Sequence, residues 1–189
     1  MNKKIKYTGF TLIELMITIA LVAILLALGA PYFRETITSN KVVAETNNLM
    51  ASFNFARANA AKLNQPVTVC KSADGAACTT AGDWEDGWIL FNDLDMDGVV
   101  DAGEEVLQVN SLLPTGYTLR STAQFSNRVT FLPQGVVRGT ATLDDYSSFR
   151  ICSPDAGSEE DDAKARQVFI NITGRTRSQK GLDAGIDCP

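Results

Sequence analysis

Gly9-Phe10-Thr11-Leu12-Ile13-Glu14 opens a run that stays apolar as far as Ala30, and Glu14 is its only charged residue. As a helix rising about 1.5 Å per residue, 10–30 would span roughly 31 Å, the thickness of a bilayer hydrocarbon core. Lys3, Lys4 and Lys6 stand before the run. The positive-inside rule then places 1–9 in the cytoplasm, 10–30 across the membrane and the rest of the chain outside. A lone carboxylate at that depth is costly and asks for a partner.

A secretory signal peptide would also show a basic start, an apolar core and small residues such as Ala27 and Gly29. A plain uncleaved anchor would show the same run. Neither accounts for Glu14, nor for a helical pattern that continues past Pro31. The basic leader, Gly9, Phe10 and Glu14 together resemble the prepilin signature of type IV pilins and type II secretion pseudopilins. The resemblance implies cleavage between Gly9 and Phe10 by a prepilin peptidase and N-methylation of Phe10. It implies that Glu14 pairs with the terminal amine of a neighbouring pilin. Glu14 lies four residues beyond Phe10, on the same helix face. The other reading of Glu14 is a side chain that reaches the headgroups from near the helix end. The implied location is the bacterial inner membrane, with the globular part periplasmic and then carried into a fibre.

Beyond the apolar run about 160 of the 189 residues remain, enough for one domain with a core of its own. Without the three leader lysines, 14 basic residues face 22 acidic ones, a net of −8. That balance argues against broad attraction to DNA or anionic lipid but leaves room for a local basic patch. Cys70, Cys78, Cys152 and Cys188 all fall on the exported side, where disulfides persist. Of the three pairings open to them, Cys70–Cys78 closes a short loop containing Gly75, and Cys152–Cys188 then ties the C-terminus to a strand. A zinc site is the rival, but the spacings are not those of metal pairs and the chain has no histidine. The absence of histidine removes Ser–His and Cys–His mechanisms. With no phosphate loop or dinucleotide fingerprint either, no enzyme is expected.

Past Pro31, which should kink the helix, Val42, Leu49, Phe53, Ala56, Ala60 and Leu63 form one helical stripe. Asn40, Lys41, Glu45, Asn48 and Lys62 occupy the other side, so 31–65 reads as an amphipathic continuation ended by Asn64-Gln65-Pro66. A coiled coil is the alternative, but its polar positions and short extent favour packing on a sheet. From 66 to 189 the pattern turns to short strands, expected at Val67–Cys70, Trp88–Phe91, Glu105–Val109, Tyr117–Arg120, Arg128–Leu132, Phe149–Cys152 and Gln167–Thr173. Turns are expected at Pro114-Thr115-Gly116, Pro133-Gln134-Gly135 and Ser158–Asp162. The expected architecture is α+β, type IV pilin-like: a long kinked N-terminal helix on an antiparallel sheet. Val69-Cys70, Cys78 and Gly82-Asp83-Trp84-Glu85-Asp86-Gly87-Trp88 resemble the GspH/FimT branch of pseudopilins and minor pilins. Trp84 and Trp88 are expected in the core, with sugar stacking as the other use of such rings.

Two polar motifs remain. Asp93-Leu94-Asp95-Met96-Asp97-Gly98-Val99-Val100-Asp101-Ala102-Gly103-Glu104 fits the calcium-loop template. Asp93, Asp95, Asp97, the Val99 carbonyl, Asp101 and Glu104 would be the ligands, Ca2+ the only cofactor in view, and Val100 the anchor to the core. The alternative is a solvated, metal-free acidic hairpin. Thr173-Gly174-Arg175-Thr176-Arg177-Ser178-Gln179-Lys180-Gly181 is the one dense basic stretch of the exported part. On a strand, Arg175 and Arg177 would share a face and with Lys180 grip successive phosphates. Gly174-Arg175-Thr176-Arg177 resembles the GRxR motif of FimT-type minor pilins, which implies DNA as a partner in uptake. The bland reading is that these cations balance acidic loops such as Glu159–Asp162. The sequence therefore points to a minor pilin of the tip or initiation complex of a type IV pilus, with DNA binding as an added role and an H-type pseudopilin of type II secretion as the competing reading.

Overall fold

The computed structural model describes residues 9–138, 147–156, 164–182 and 188, without the side chains of 28–32 and 147. The leader lysines, the Ser158–Asp162 turn and the side chain of Pro31, where a kink is expected, lie outside the described residues. Helix α1 is Leu12–Leu63. Among the described residues eight strands follow: β1 (Val67–Lys71), β2 (Trp88–Asn92), β3 (Val106–Asn110), β4 (Thr118–Ser121), β5 (Arg128–Phe131), β6 (Ser147–Cys152), β7 (Ala165–Ile170) and β8 (Thr176–Lys180). The chain divides into two compact units, Met1–Ile37 and Thr38–Pro189.

In the second unit the amphipathic part of α1 supplies the core. Val42, Leu49, Phe53, Ala56 and Ala60 are fully buried, while Leu63, expected to continue the stripe, is exposed at the helix end. The helix stops because Asn64 turns left-handed (φ 54°), which lets the Gln65 amide donate back to the Ala60 carbonyl at 3.2 Å. Pro66 then cannot continue a helix.

The single sheet expected is two four-stranded antiparallel sheets, ordered β3-β2-β1-β5 and β4-β6-β7-β8. One apolar cluster joins the helix stripe to inner faces of both: Val67, Val69, Trp88, Leu90, Val129 and Phe131 from the first, Leu119, Phe149, Ile151, Val168 and Ile170 from the second. Phe53 sits at their meeting point, 5.1 Å from the Phe149 ring and 6.3 Å from Phe131. Both tryptophans are buried, with Trp84 Nε1 donating to the Phe125 carbonyl (3.0 Å) and Trp88 Nε1 to Ser52 Oγ (3.1 Å). Neither ring is available to stack on a sugar.

The outer face of the first sheet is covered as well. Cys70, Ile89 and Phe91 form a second cluster with Cys78, Val100 and Val106. Two loops therefore close that face, one held by Cys78 and the other by Val100.

β7 ends at Ile170 rather than Thr173, although Ile172 extends the alternation. Asn171 takes the chain out of the strand: its Oδ1 accepts the Arg175 amide (2.9 Å) and its carbonyl accepts the Gly174 amide (2.8 Å). The strand that this turn feeds, β8, has no apolar residue to announce it.

Candidate functional site

Among the described residues, polar or charged chemistry outside the core gathers at the start of α1, in the acidic loop, in the first disulfide loop and in the basic turn. At the start of α1, Thr11 Oγ1 accepts the Glu14 amide at 3.3 Å, an N-cap that fixes where the helix begins. Glu14 falls in the first turn, where the helix dipole favours a carboxylate. Its side chain is exposed, and so are Phe10, Leu12, Ile13, Leu15, Met16, Ile17, Ile19, Leu21, Val22, Ile24, Leu25 and Leu26. A helix apolar on all sides buries its surface in lipid or against other helices. Among the described residues no helix is long and apolar enough to cross a membrane, and the expected span of 10–30 runs into 28–32, whose side chains are not described.

The acidic loop between β2 and β3 rests on the outer face of the first sheet. Asp93 is fully buried. Its Oδ2 accepts Thr68 Oγ1 at 2.5 Å, and Thr68 in turn lies 2.7 Å from Thr130 Oγ1. Its Oδ1 accepts the Gly98 amide at 3.3 Å, which the left-handed Gly98 (φ 79°) makes reachable. Two arginines strap the loop by its carbonyls rather than its carboxylates: Arg138 Nη1 donates to Met96 O (2.9 Å) and Arg128 Nη1 to Asp97 O. Among the described residues Asp93, Asp95 and Asp97 bring carboxylate oxygens within 4.8 Å of one another. Glu104 is outside that group; its two oxygens accept the Leu94 amide (2.7 Å) and the Asp101 amide (3.0 Å). These are three of the six ligands expected for calcium, which takes six to eight oxygens from carboxylates, carbonyls and waters. The loop is held by its own amides, Thr68 and the two arginines.

The disulfide-forming cysteines are joined as Cys70–Cys78, with Cα atoms 5.6 Å apart, and Cys152–Cys188, 5.9 Å apart. Within the first loop Asp74 Oδ1 accepts the Ala76 and Ala77 amides at 2.9 and 3.0 Å and the Ser72 hydroxyl at 3.1 Å. These bonds, that of Ala76 foremost, then Ala77 and Ser72, hold the Asp74 carboxyl below its ordinary pKa.

The basic stretch is divided rather than gathered on one strand face. Arg175 lies in the β7–β8 turn, before β8 begins at Thr176. Arg177 pairs across the sheet with Phe169, its guanidinium carbon 3.9 Å from the ring centroid. Lys180 pairs with Arg166 and, an odd number of residues from Arg177, belongs to the opposite face. All three side chains are exposed. A further cation, missed in the sequence, stands beside this turn. Arg57 Nε donates to the Gly135 carbonyl at 3.0 Å, and a β-carbon on Gly174 would lie 3.1 Å from the same Nε. Its only signal in the sequence is a charge at the rim of the stripe, next to Ala56.

The family described as type II transport protein GspH matches residues 45–174, and the prokaryotic N-terminal methylation motif matches residues 5–30. The first match ends at Gly174, just before the arginine pair. Among solved structures, the crystal structure of the type IV minor pilin FimU of Pseudomonas aeruginosa strain PAO1 is similar at 18% identity and a TM-score of 0.57, over 76% of this chain and 94% of that one. A second crystal form of FimU gives 18% and 0.51, over 74% and 96%. The minor pseudopilin EpsH from the type 2 secretion system of Vibrio cholerae gives 12% and 0.47, over 74% and 97%. No curated protein matches the sequence. At such identities the likeness to FimU concerns the fold, a long N-terminal helix packed on antiparallel sheets.

Proposed function

We propose a function from the premise that this chain belongs to the GspH family of type II transport proteins. With its N-terminal methylation motif it is a minor pilin or pseudopilin, a structural protein and not an enzyme. The finer reading is a minor pilin of a type IV pilus. The precursor sits in the inner membrane with 1–9 in the cytoplasm. Prepilin peptidase cuts between Gly9 and Phe10, and the new terminal amine of Phe10 is methylated. The processed chain then joins other pilins through α1.

The observation that carries this reading is the position of Glu14. It is an exposed carboxylate in the first turn of an exposed apolar helix, four residues beyond Phe10. Among the described residues its carboxylate has no ion-pair partner. A terminal amine from a neighbouring subunit supplies one in the place where an unpaired charge costs most. The competing assignment, an H-type pseudopilin of type II secretion, uses the same assembly chemistry. Deleting the gene and scoring piliation and exoprotein secretion together separates the two. Loss of piliation with secretion intact is expected; loss of secretion alone would defeat the pilus reading.

A second role is DNA binding for uptake. It is favoured by Arg175, Arg177 and Lys180 being exposed around one hairpin of an otherwise acidic protein. Binding would be weak, independent of sequence and steeply salt-dependent. A gel shift at low salt tests it, with wild type retarding DNA and Arg175→Ala with Arg177→Ala not doing so.

A further inference from the structure

We propose that Arg57, on α1, is a phosphate-binding residue that acts beside Arg175 on the same DNA strand. The inference rests on the DNA reading above and adds a contact from outside the basic motif. Three observations lead to it.

Arg57 is held in place without being neutralised. Its Nε is spent on the Gly135 carbonyl, and among the described residues its terminal nitrogens have no hydrogen-bond partner. A guanidinium fixed at one nitrogen and free at the other two presents the fork that matches phosphate oxygens.

Arg57 borders an open cleft of about 270 Å³, which Asn54, Ala58, Ala61, Gln134 and Gly135 also line. Among the described residues no carboxylate lines it. Asn54 and Gln134 are neutral amides that can donate to phosphate, and the Asn54 Oδ1 accepts Thr176 Oγ1 at 3.4 Å, leaving its nitrogen as the donor. Ala58 and Ala61 leave room for a backbone to approach.

The cleft adjoins the basic turn. Gly174 packs on Gly135 and Arg57 so closely that only a glycine fits, and Arg175 is the next residue along. The fold thus brings the residue before Arg175 against Arg57, though the two arginines are 118 residues apart in sequence (57 against 175).

The test uses the full chain in a zwitterionic detergent and a short mixed-sequence DNA duplex, with affinity measured by fluorescence anisotropy between about 50 and 200 mM NaCl. Arg57→Gln is expected to weaken binding roughly three- to tenfold at low salt, equally for unrelated sequences. It should lower the slope of log affinity against log salt by about one. Asn54→Asp keeps the Arg57–Gly135 bond and the acceptor for Thr176 while placing a carboxylate in the cleft. It is expected to give the same loss, and it decides the matter if Arg57→Gln melts early. An unchanged slope in Asn54→Asp, with binding abolished by Arg175→Gln plus Arg177→Gln, overturns the role of Arg57 and leaves the DNA reading standing. No binding by wild type overturns both.

Discussion

Gly174 meets Gly135 so closely that a β-carbon on Gly174 would lie 2.2 Å from the Gly135 carbonyl oxygen. The φ of Gly174 is +70°, a region that costs other residues about 1–2 kcal/mol. The glycine that opens the basic motif is therefore fixed by packing, whatever the arginines after it bind. Gly174→Ala should destabilise the domain by about 2–3 kcal/mol, strain and displaced backbone together. Urea unfolding should show the midpoint falling with little change in slope. A loss under about 0.5 kcal/mol would mean that the turn can move off Gly135, as a surface site would.

Thr68 and Asp93 give a second prediction. Asp93 is buried with a threonine hydroxyl and one amide as its partners. Thr68→Val keeps the shape, removes the 2.5 Å hydrogen bond and leaves Thr130 without its neighbour. Leaving a buried polar group without its hydrogen-bond partner costs about 1–3 kcal/mol. The cost should be larger than for Thr46→Val, because among the described residues the Thr46 hydroxyl bonds only to the Val42 carbonyl of its own helix. Equal losses in thermal melts would show that Asp93 has found another donor.

What the sequence made legible follows from which signals are local. The helix was readable because one stripe of apolar residues runs through Val42, Leu49, Phe53, Ala56 and Ala60, and because Asn64 and Pro66 stop it. Seven of the strands were readable from β-branched and aromatic runs. β8 was not, since Thr176-Arg177-Ser178-Gln179-Lys180 is an edge strand whose pairing with β7 is decided by the Asn171–Arg175 turn. The division into two sheets was equally hidden, because strand order is a property of partners distant in sequence. In the charged sites residue types were visible but directions were not. Glu104 was legible as an acidic residue of the loop, while its bonds to the Leu94 and Asp101 amides were not. Arg57 was invisible because its importance comes from Gly135 and Gly174, brought to it only by folding.

Asp74 supplies a pH-dependent marker of the Cys70–Cys78 loop. Its folded pKa is depressed below the ordinary 3.8, chiefly by the Ala76 amide, then by Ala77 and Ser72. A depressed carboxyl favours the closed loop above the unfolded pKa, and that contribution is lost as pH falls through the lower, folded value. The Ala76 and Ala77 amide resonances should therefore shift together with an inflection below pH 3.8, and Asp74→Asn should remove it. An inflection at or above that value would show that the amides do not bind the carboxylate in solution.

Glu14 tests the assembly reading apart from the fold, because its unit buries none of the residues that hold the sheets together. Replacing it by leucine leaves 10–30 without a charged residue, so insertion should be at least as good as in wild type. Cleavage after Gly9 should also persist, since the bond lies upstream of the altered side chain. Entry into the fibre should fail instead, because the terminal amine of the neighbour loses its counter-charge. A charge-assisted bond of about 1.5–3 kcal/mol corresponds to a fall in incorporation of about tenfold to a hundredfold. Glu14→Asp keeps the charge on a shorter stem and should fall between the two. Immunoblots of sheared fibres against membranes check this. The proposed pairing predicts Glu14→Leu protein processed to mature size, retained in the membrane and depleted from the fibre. Normal recovery of that variant in fibres would show that the carboxylate only reaches for the headgroups and that α1 docks through its apolar surface alone.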